Sequence, residues 1–144
     1  MKPTLSRRIV AEFTGTLFLL AAVVGSGIMG ERLAAGNVAL ALLTNAIATG
    51  AALVAIILAF GPISGAHLNP AVTLTDAWQG GTAWREAPAY IIAQMAGAFA
   101  GVIAAHLMFG LSTLSSSTRV RSGPPSSSVS SSLPSAYWPS FGVV

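Results

Sequence analysis

The stretch Ser64-Gly65-Ala66-His67-Leu68-Asn69-Pro70-Ala71-Val72-Thr73 places a polar, turn-forming sequence between two long apolar segments. The segments before and after it, residues 38–60 and 87–111, carry no Asp, Glu, Lys or Arg. Asn69 is a residue type that caps helices through its side-chain oxygen, and Pro70 is favoured in the first helical turn. The pattern therefore predicts a short helix whose partly positive N-terminus lies at Asn69.

Two interpretations of this stretch remain open from the residues alone. In hydrocarbon, irregular backbone is tolerated only where protein covers it or where it lines a wet cavity. The stretch is therefore either a membrane-surface loop followed by an ordinary capped helix, or a re-entrant segment that lines a pore. In a pore, His67 and Asn69 would face the pathway, and Gly65 would let the backbone expose a file of carbonyl acceptors.

The composition indicates an integral membrane protein. Of the 144 residues, 53% are hydrophobic and 8% are charged, whereas a soluble domain carries about 25% charged residues. The chain has no cysteine, which excludes disulfides and thiolate metal sites, and its net charge of +3 is too small and scattered to indicate a nucleic-acid partner. No set of side chains has catalytic or metal-ligand spacing, so we expect neither an enzyme nor a cofactor.

Hydropathy predicts three spanning helices, because about 20 apolar residues are needed to cross a bilayer. The first is longer than the apolar region of a signal peptide. The apolar stretch within the link after the second helix is too short to span and suits a re-entrant half-helix. The predicted fold class is an all-α membrane protein with three transmembrane helices, at residues 9–29, 38–60 and 87–111. One re-entrant half-helix is predicted at residues 70–79.

Charges and aromatic residues give a weak indication of orientation. Lys2, Arg7 and Arg8 favour a cytoplasmic N-terminus under the positive-inside rule. An aromatic belt at the membrane interface is predicted around the second link, formed by Trp78, Trp84 and Tyr90.

Polar and small residues within the predicted helices have more than one interpretation each. Glu12 is the only acid well inside a spanning segment, where it lies at the membrane interface, bonds exposed loop amides or takes part in a proton relay. Gly97 and Gly101 form a G-x-x-x-G pair, which favours close helix packing or a dimer face.

Three further polar residues are candidates for the interior of the bundle. Gln94 and Thr49 lie within predicted spanning segments and can face inward. Asn45 lies one turn before Thr49 on the same helix.

The central stretch resembles the first signature of the aquaporin and glycerol-facilitator family, the major intrinsic proteins. The resemblance rests on Ser64-Gly65-x-His67-x-Asn69-Pro70-Ala71-Val72-Thr73, and on Glu12 and Gln94-x-x-Gly97-Ala98 with Gly101. It covers about residues 7–111 and implies half of an aquaporin-like fold. In that family two such half-helices, one from each of two inverted repeats, meet end to end at the membrane centre.

The resemblance also implies roles for individual residues. Asn69 would donate to the passing solute, and the carbonyl groups of Gly65, Ala66 and His67 would line one vestibule. Thr49 falls about where many water-selective members carry an aromatic residue, which implies a wider pore for glycerol-like or neutral metalloid solutes. Structural support would come from Glu12, Pro70, Ala71, Gln94, Gly97 and Gly101.

The chain departs from the family pattern after its third helix. It has one Asn-Pro-Ala element where the family has two, and its Ser/Pro-rich end differs from everything before it. We expect a first repeat at residues 1–111 and a tail at residues 112–144 that is either disordered or the product of a frameshift after about residue 124. Shifting the frame by one base over residues 125–140 permits a sequence similar to the chain's own first helix.

These observations predict passive transport of water or small neutral solutes by a channel in the plasma membrane. The lipid bilayer and the solute would be its partners, and a homo-oligomer or a partner repeat would complete the pore. Two alternatives stay open: an inactive fragment of a channel, and a small membrane interaction protein without transport that uses its Gly/Ala faces to bind other helices.

Overall fold

The computed structural model describes residues 3–110, which contain four α-helices and no strand. Three of the helices are long and apolar enough to cross a membrane, and a short helix lies between the second and third of them. The predicted all-α fold class is therefore confirmed. The helices are α1 (Leu5–Leu33), α2 (Val38–Ser64), α3 (Pro70–Trp78) and α4 (Ala87–Met108).

The two N-terminal helices extend beyond the apolar segments that predicted them. Charged residues at both ends of α1 belong to the helix, and α2 continues through Pro62 to Ser64. At the end of α2, Gly65 adopts the left-handed conformation (φ 95°), which glycine reaches without a Cβ clash. Hydropathy locates the part of a helix that lies in hydrocarbon, whereas capping groups locate its ends. The predicted tail at residues 112–144 and the frameshift hypothesis lie outside the described residues.

Capping side chains define the starts of α2 and α3. The side-chain oxygen of Asn37 accepts from the N–H of Leu40 at 3.1 Å, and that of Asn69 accepts from the N–H of Ala71 at 2.8 Å. Pro70 occupies the first turn of α3, where its missing N–H costs nothing. The short helix thus begins where the sequence predicts it.

Helix α1 occupies the centre of the bundle. It contacts α2 on one side and α4 on the other, and α3 packs against α4. A Cβ atom at Gly97 or Gly101 would overlap the carbonyl oxygens of Phe13 or Leu17, so α1 and α4 touch backbone to backbone. The G-x-x-x-G pair therefore packs α4 against α1 of the same chain. The dimer-face interpretation is wrong, because both glycines are buried in this contact.

The outer surface of α2 has no partner among the described residues. Only Ile56 and Ser64 of this helix are buried. Several of its large side chains, including Leu42, Val54 and Leu58, expose more than half of their surface. An apolar surface of this kind suits lipid or another apolar helix.

Candidate functional site: the loop between α2 and α3

The loop from Gly65 to Asn69 has an unusual backbone. Gly65, Ala66 and Leu68 have φ angles of 95°, 49° and 54°, and two of these residues are not glycine. A left-handed conformation costs an L-residue about 1–2 kcal/mol. The loop therefore depends on interactions from elsewhere in the fold, and α1 and α4 provide them.

Glu12 of α1 holds the loop from behind. Its side chain is fully buried, and its Oε1 atom accepts from the N–H of His67 at 3.0 Å and the hydroxyl of Ser64 at 2.6 Å. Its Oε2 atom accepts from the N–H of Leu68 at 2.8 Å and from Nε2 of Gln94 at 2.8 Å. Four donors match the acceptor capacity of a carboxylate. This arrangement is that of a loop support, and it leaves no free oxygen for a proton relay.

Gln94 extends the same network to the start of α3. Besides Glu12, its Nε2 atom donates to Oγ1 of Thr73 at 2.9 Å, and Thr73 Oγ1 lies 3.2 Å from the carbonyl oxygen of Asn69. Gln94 and Thr73 are both buried. We call Glu12, Ser64, Thr73 and Gln94 the anchor cluster.

Tyr90 of α4 makes a further hydrogen bond at the start of the loop. Its ring is fully buried, and its hydroxyl donates to the carbonyl oxygen of Ser64 at 3.1 Å while accepting from Nε of Arg8 at 2.7 Å. Arg8 also pairs with Glu86 at 2.7 Å. The prediction that Tyr90 belongs to an aromatic belt is wrong. Its position four residues before Gln94, on the same helix face, is the sequence signal that could have placed it here.

Asn69 lies at the exposed tip of the loop with its amide held in one orientation. Its Oδ1 atom is engaged as the cap of α3, so the Nδ2 group is the end that remains available. Within residues 3–110 no acceptor binds that NH₂ group. Asn69 therefore presents a hydrogen-bond donor at the N-terminus of α3.

Free acceptors lie next to this donor. Among the described residues, no hydrogen bond ends on the carbonyl oxygens of Gly65, Ala66 or His67. The loop thus turns the N–H groups of His67 and Leu68 toward Glu12 and leaves three successive carbonyl groups unengaged. Such a file of acceptors beside a donor can replace part of the hydration shell of a small polar molecule.

The ring of His67 is directed toward α3. Its Nδ1 atom lies 3.2 Å from Thr73 Oγ1, and its Nε2 atom lies 3.5 Å from a carboxylate oxygen of Asp76. Sequence reasoning did not single out Asp76 or Thr73. Asp76 falls one turn after Thr73 on the short helix, so its proximity to His67 depends on how the loop folds back.

Thr49 is not part of this constellation. It is half-buried on α2 with its Oγ1 atom 3.4 Å from the side chain of Asn45. It lies roughly 22 Å along the helix from Ser64, at 1.5 Å per residue. Its predicted contact with solute stays a prediction.

Comparisons with known proteins agree with these features. The family model described as major intrinsic protein matches residues 1–132. The chain is 57% identical over 120 residues to the aquaglyceroporin AqpS of Rhizobium meliloti (strain 1021), which covers 83% of this chain and 51% of that protein. It is 44% identical over 110 residues to aquaporin NIP1-4 of Oryza sativa subsp. japonica, covering 76% of this chain and 39% of the relative. The probable aquaporin NIP7-1 of Arabidopsis thaliana is 38% identical over 105 residues.

Proposed function

The chain belongs to the major intrinsic protein family, and from this premise we propose that it forms one half of a pore for passive passage of water or small neutral solutes. Proteins of this family are channels that act in lipid bilayers, not enzymes. The chain spans about half the length, or less, of the curated relatives that it matches. The activity of a complete channel is therefore part of the proposal.

The observation that carries the proposal is the fixed orientation of Asn69. Because Oδ1 caps α3, the amide can only donate at its free end, beside three carbonyl groups that can only accept. Water and small hydroxylated molecules need both a donor and an acceptor. A neutral solute that loses its hydration shell at this point would recover those hydrogen bonds from the loop.

The same geometry argues against ion passage. The N-terminus of α3 carries a partial positive charge, and Asn69 sits on it. A cation or a proton at this position would be repelled, whereas a neutral solute would not. The anchor cluster keeps Glu12 behind the loop, where its oxygens are occupied by four donors.

Within this proposal we favour glycerol-like or neutral metalloid solutes over water alone. Thr49 is small where an aromatic residue would narrow the pathway, and one relative is named an aquaglyceroporin. We place the protein in the plasma membrane with its N-terminus in the cytoplasm, following Lys2, Arg7 and Arg8. The exposed surface of α2 would receive a partner repeat or a second chain.

The proposal is tested by stopped-flow swelling of proteoliposomes that contain the full chain, with glycerol and water measured separately. The decisive variant is Asn69→Asp, because aspartate caps a helix as well as asparagine but has no NH₂ group. We expect flux to fall by about tenfold, the effect of losing a hydrogen bond and adding a charge. The matched control is Asn37→Asp, which changes the cap of α2 in the same way and should leave flux unchanged.

Two results would contradict the proposal. Wild-type flux no greater than that of protein-free liposomes would show that this chain does not conduct. Equal flux in wild type and Asn69→Asp would show that solute does not pass the loop. In either case, capture of a defined membrane helix by α2 would favour an interaction protein.

A further inference from the structure

A second polar group joins α1 and α2 at a distance from the loop. Ser26 of α1 faces Asn45 of α2, and Thr49 lies one turn further along α2 on the same side. Ser26 Oγ is 2.7 Å from Oδ1 of Asn45, and Thr49 Oγ1 is 3.4 Å from the same atom. We call these three residues the α1–α2 cluster.

The single proton of the Ser26 hydroxyl group determines the orientation of the Asn45 amide. Ser26 Oγ also lies 2.6 Å from the carbonyl oxygen of Ala22, and a hydroxyl group carries only one proton. A carbonyl oxygen cannot donate, so the Ser26 proton is required at Ala22. The 2.7 Å contact is then favourable only if the amide donates, which puts Nδ2 rather than Oδ1 toward Ser26. The two ends of an amide are assigned by such a network.

This orientation of the Asn45 amide makes the Thr49 hydroxyl group an acceptor toward Asn45. The Asn45 NH₂ group has two protons, one for Ser26 Oγ and one for Thr49 Oγ1. Thr49 then accepts from Asn45 and keeps its own hydroxyl proton, which no other acceptor binds within residues 3–110. In the opposite orientation, the Thr49 hydroxyl proton would be donated to Asn45 and would not be available to a solute.

Both ends of the Asn45 amide lie near Gly27, where an added Cβ would be 3.8 Å from one end and 4.0 Å from the other. Gly27 and Asn45 both line a cavity of about 350 Å³ at the end of the bundle where α1 connects to α2, with Asn37 and Glu31 on its wall. In this orientation, no donor among residues 3–110 binds the amide oxygen of Asn45.

We propose that Asn45 is a specificity-determining positioning residue, which holds Thr49 as a hydrogen-bond donor for small neutral solutes that carry several hydroxyl groups. The inference rests on the proposed function, because it takes Thr49 as a residue that faces the solute. A solute with several hydroxyl groups can accept the Thr49 proton at one oxygen and bond a second polar group of the pathway through another, whereas a water molecule has a single oxygen. Asn45 acts through Thr49 and does not itself need to touch the solute.

The orientation is tested without any transport measurement, by NMR of the full chain in nanodiscs with labelled asparagine side chains. The proposal expects cross-relaxation from the Asn45 NH₂ protons to the β protons of Ser26. Because both ends of the amide lie within 4.0 Å of the Gly27 Cβ position, cross-relaxation to the α protons of Gly27 is expected in either orientation. An absence of cross-relaxation to Ser26 would overturn the proposal. This result does not depend on whether the chain conducts.

The selectivity role is tested by the ratio of glycerol to water flux in proteoliposomes. Asn45→Asp can only accept, so it draws the Thr49 proton away, and we expect the ratio to fall about fivefold, the effect of one neutral hydrogen bond. Thr49→Val should lower the ratio by a similar factor, and adding Asn45→Asp to it should change nothing further. Thr44→Val is the control, since the Thr44 hydroxyl bonds only the carbonyl oxygen of Leu40.

The outcomes separate this inference from the proposed function. An effect of Asn45→Asp that persists in the Thr49→Val background overturns the positioning role, while flux itself remains. An absence of wild-type flux overturns the proposed function and the selectivity role with it, whereas the NMR result still decides the amide orientation.

Discussion

The two polar groups of this bundle differ in how fully their hydrogen bonds are used. In the anchor cluster, a buried carboxylate accepts from four donors, and two of those donors are backbone N–H groups of the loop. In the α1–α2 cluster, three neutral side chains share a few protons, and one of them, Asn45, borders a cavity. The Glu12 carboxylate is saturated by the chain itself, whereas the second cluster keeps unused capacity.

This difference distinguishes residues that support the loop from residues that can contact a solute. A buried charge is costly unless its lone pairs are occupied, so Glu12 cannot accept a hydrogen bond from a solute without losing one that holds the loop. A residue that contacts solute needs a free donor or acceptor. Such groups occur on Asn69, on the loop carbonyls and in the α1–α2 cluster, whereas the unpartnered Oε1 atom of Gln94 in the anchor cluster is buried.

The largest expected effect on stability comes from Glu12→Gln. The NH₂ group of the new glutamine is a donor and faces groups that also donate. Gln94 can rotate its amide so that its oxygen accepts from this NH₂ group, but a backbone N–H of the loop cannot become an acceptor. A buried donor therefore loses its acceptor. Together with the loss of charge-assisted bonds, this should lower the free energy of unfolding by about 3 kcal/mol. Thermal unfolding in detergent, followed by tryptophan fluorescence, measures it. Glu31→Gln, at an exposed position, is the control, and equal melting temperatures of the two variants would refute the stabilising role of the Glu12 carboxylate.

The next effect is expected from Gly97→Ala, which places a methyl group against the carbonyl of Phe13. The helices must separate, and overpacking of this kind costs about 1–3 kcal/mol. The matched control is Gly50→Ala on α2, where a Cβ meets nothing within 4 Å. That change should stabilise the helix by up to about 1 kcal/mol. The same unfolding assay decides, and a stabilised Gly97→Ala would contradict the backbone contact between α1 and α4.

A smaller effect is expected from Tyr90→Phe. The variant keeps the ring but loses the bond to the Ser64 carbonyl and the acceptor for Arg8, at a cost of about 1 kcal/mol. Accelerated amide hydrogen exchange at residues 64–68, measured against wild type, would locate the loss in the loop. Unchanged exchange there would mean that Tyr90 does not support the loop.

The smallest effect is expected from Ser26→Ala in the α1–α2 cluster. A hydrogen bond between membrane helices averages about 0.6 kcal/mol, and alanine recovers up to about 0.7 kcal/mol of helix propensity. Stability should therefore stay near that of wild type in the fluorescence assay. A loss as large as that of Glu12→Gln would remove the distinction between the two clusters.

Much of the fold could be predicted from local patterns. Residue hydropathy located three long helices, and the Asn69-Pro70 pair located the start of the short one. Helix ends were predicted less well, because Ser64 and Gly65 end α2 through capping geometry that hydropathy does not contain. Tyr90 was misplaced for a related reason: an aromatic residue near a helix end is equally compatible with an interface and with a buried hydroxyl that has a partner.

The candidate site divides in the same way. The sequence by itself determined a membrane bundle, a capped half-helix at Asn69 and a costly acid at Glu12, since these depend on residue type and short-range spacing. Only the tertiary structure decided that Glu12 binds groups 52 to 82 positions away, and that Gly97 and Gly101 pack against α1 rather than against another chain. The physical reason is that a buried carboxylate requires donors, but its own position in the chain does not say which distant backbone groups the packing will bring to it.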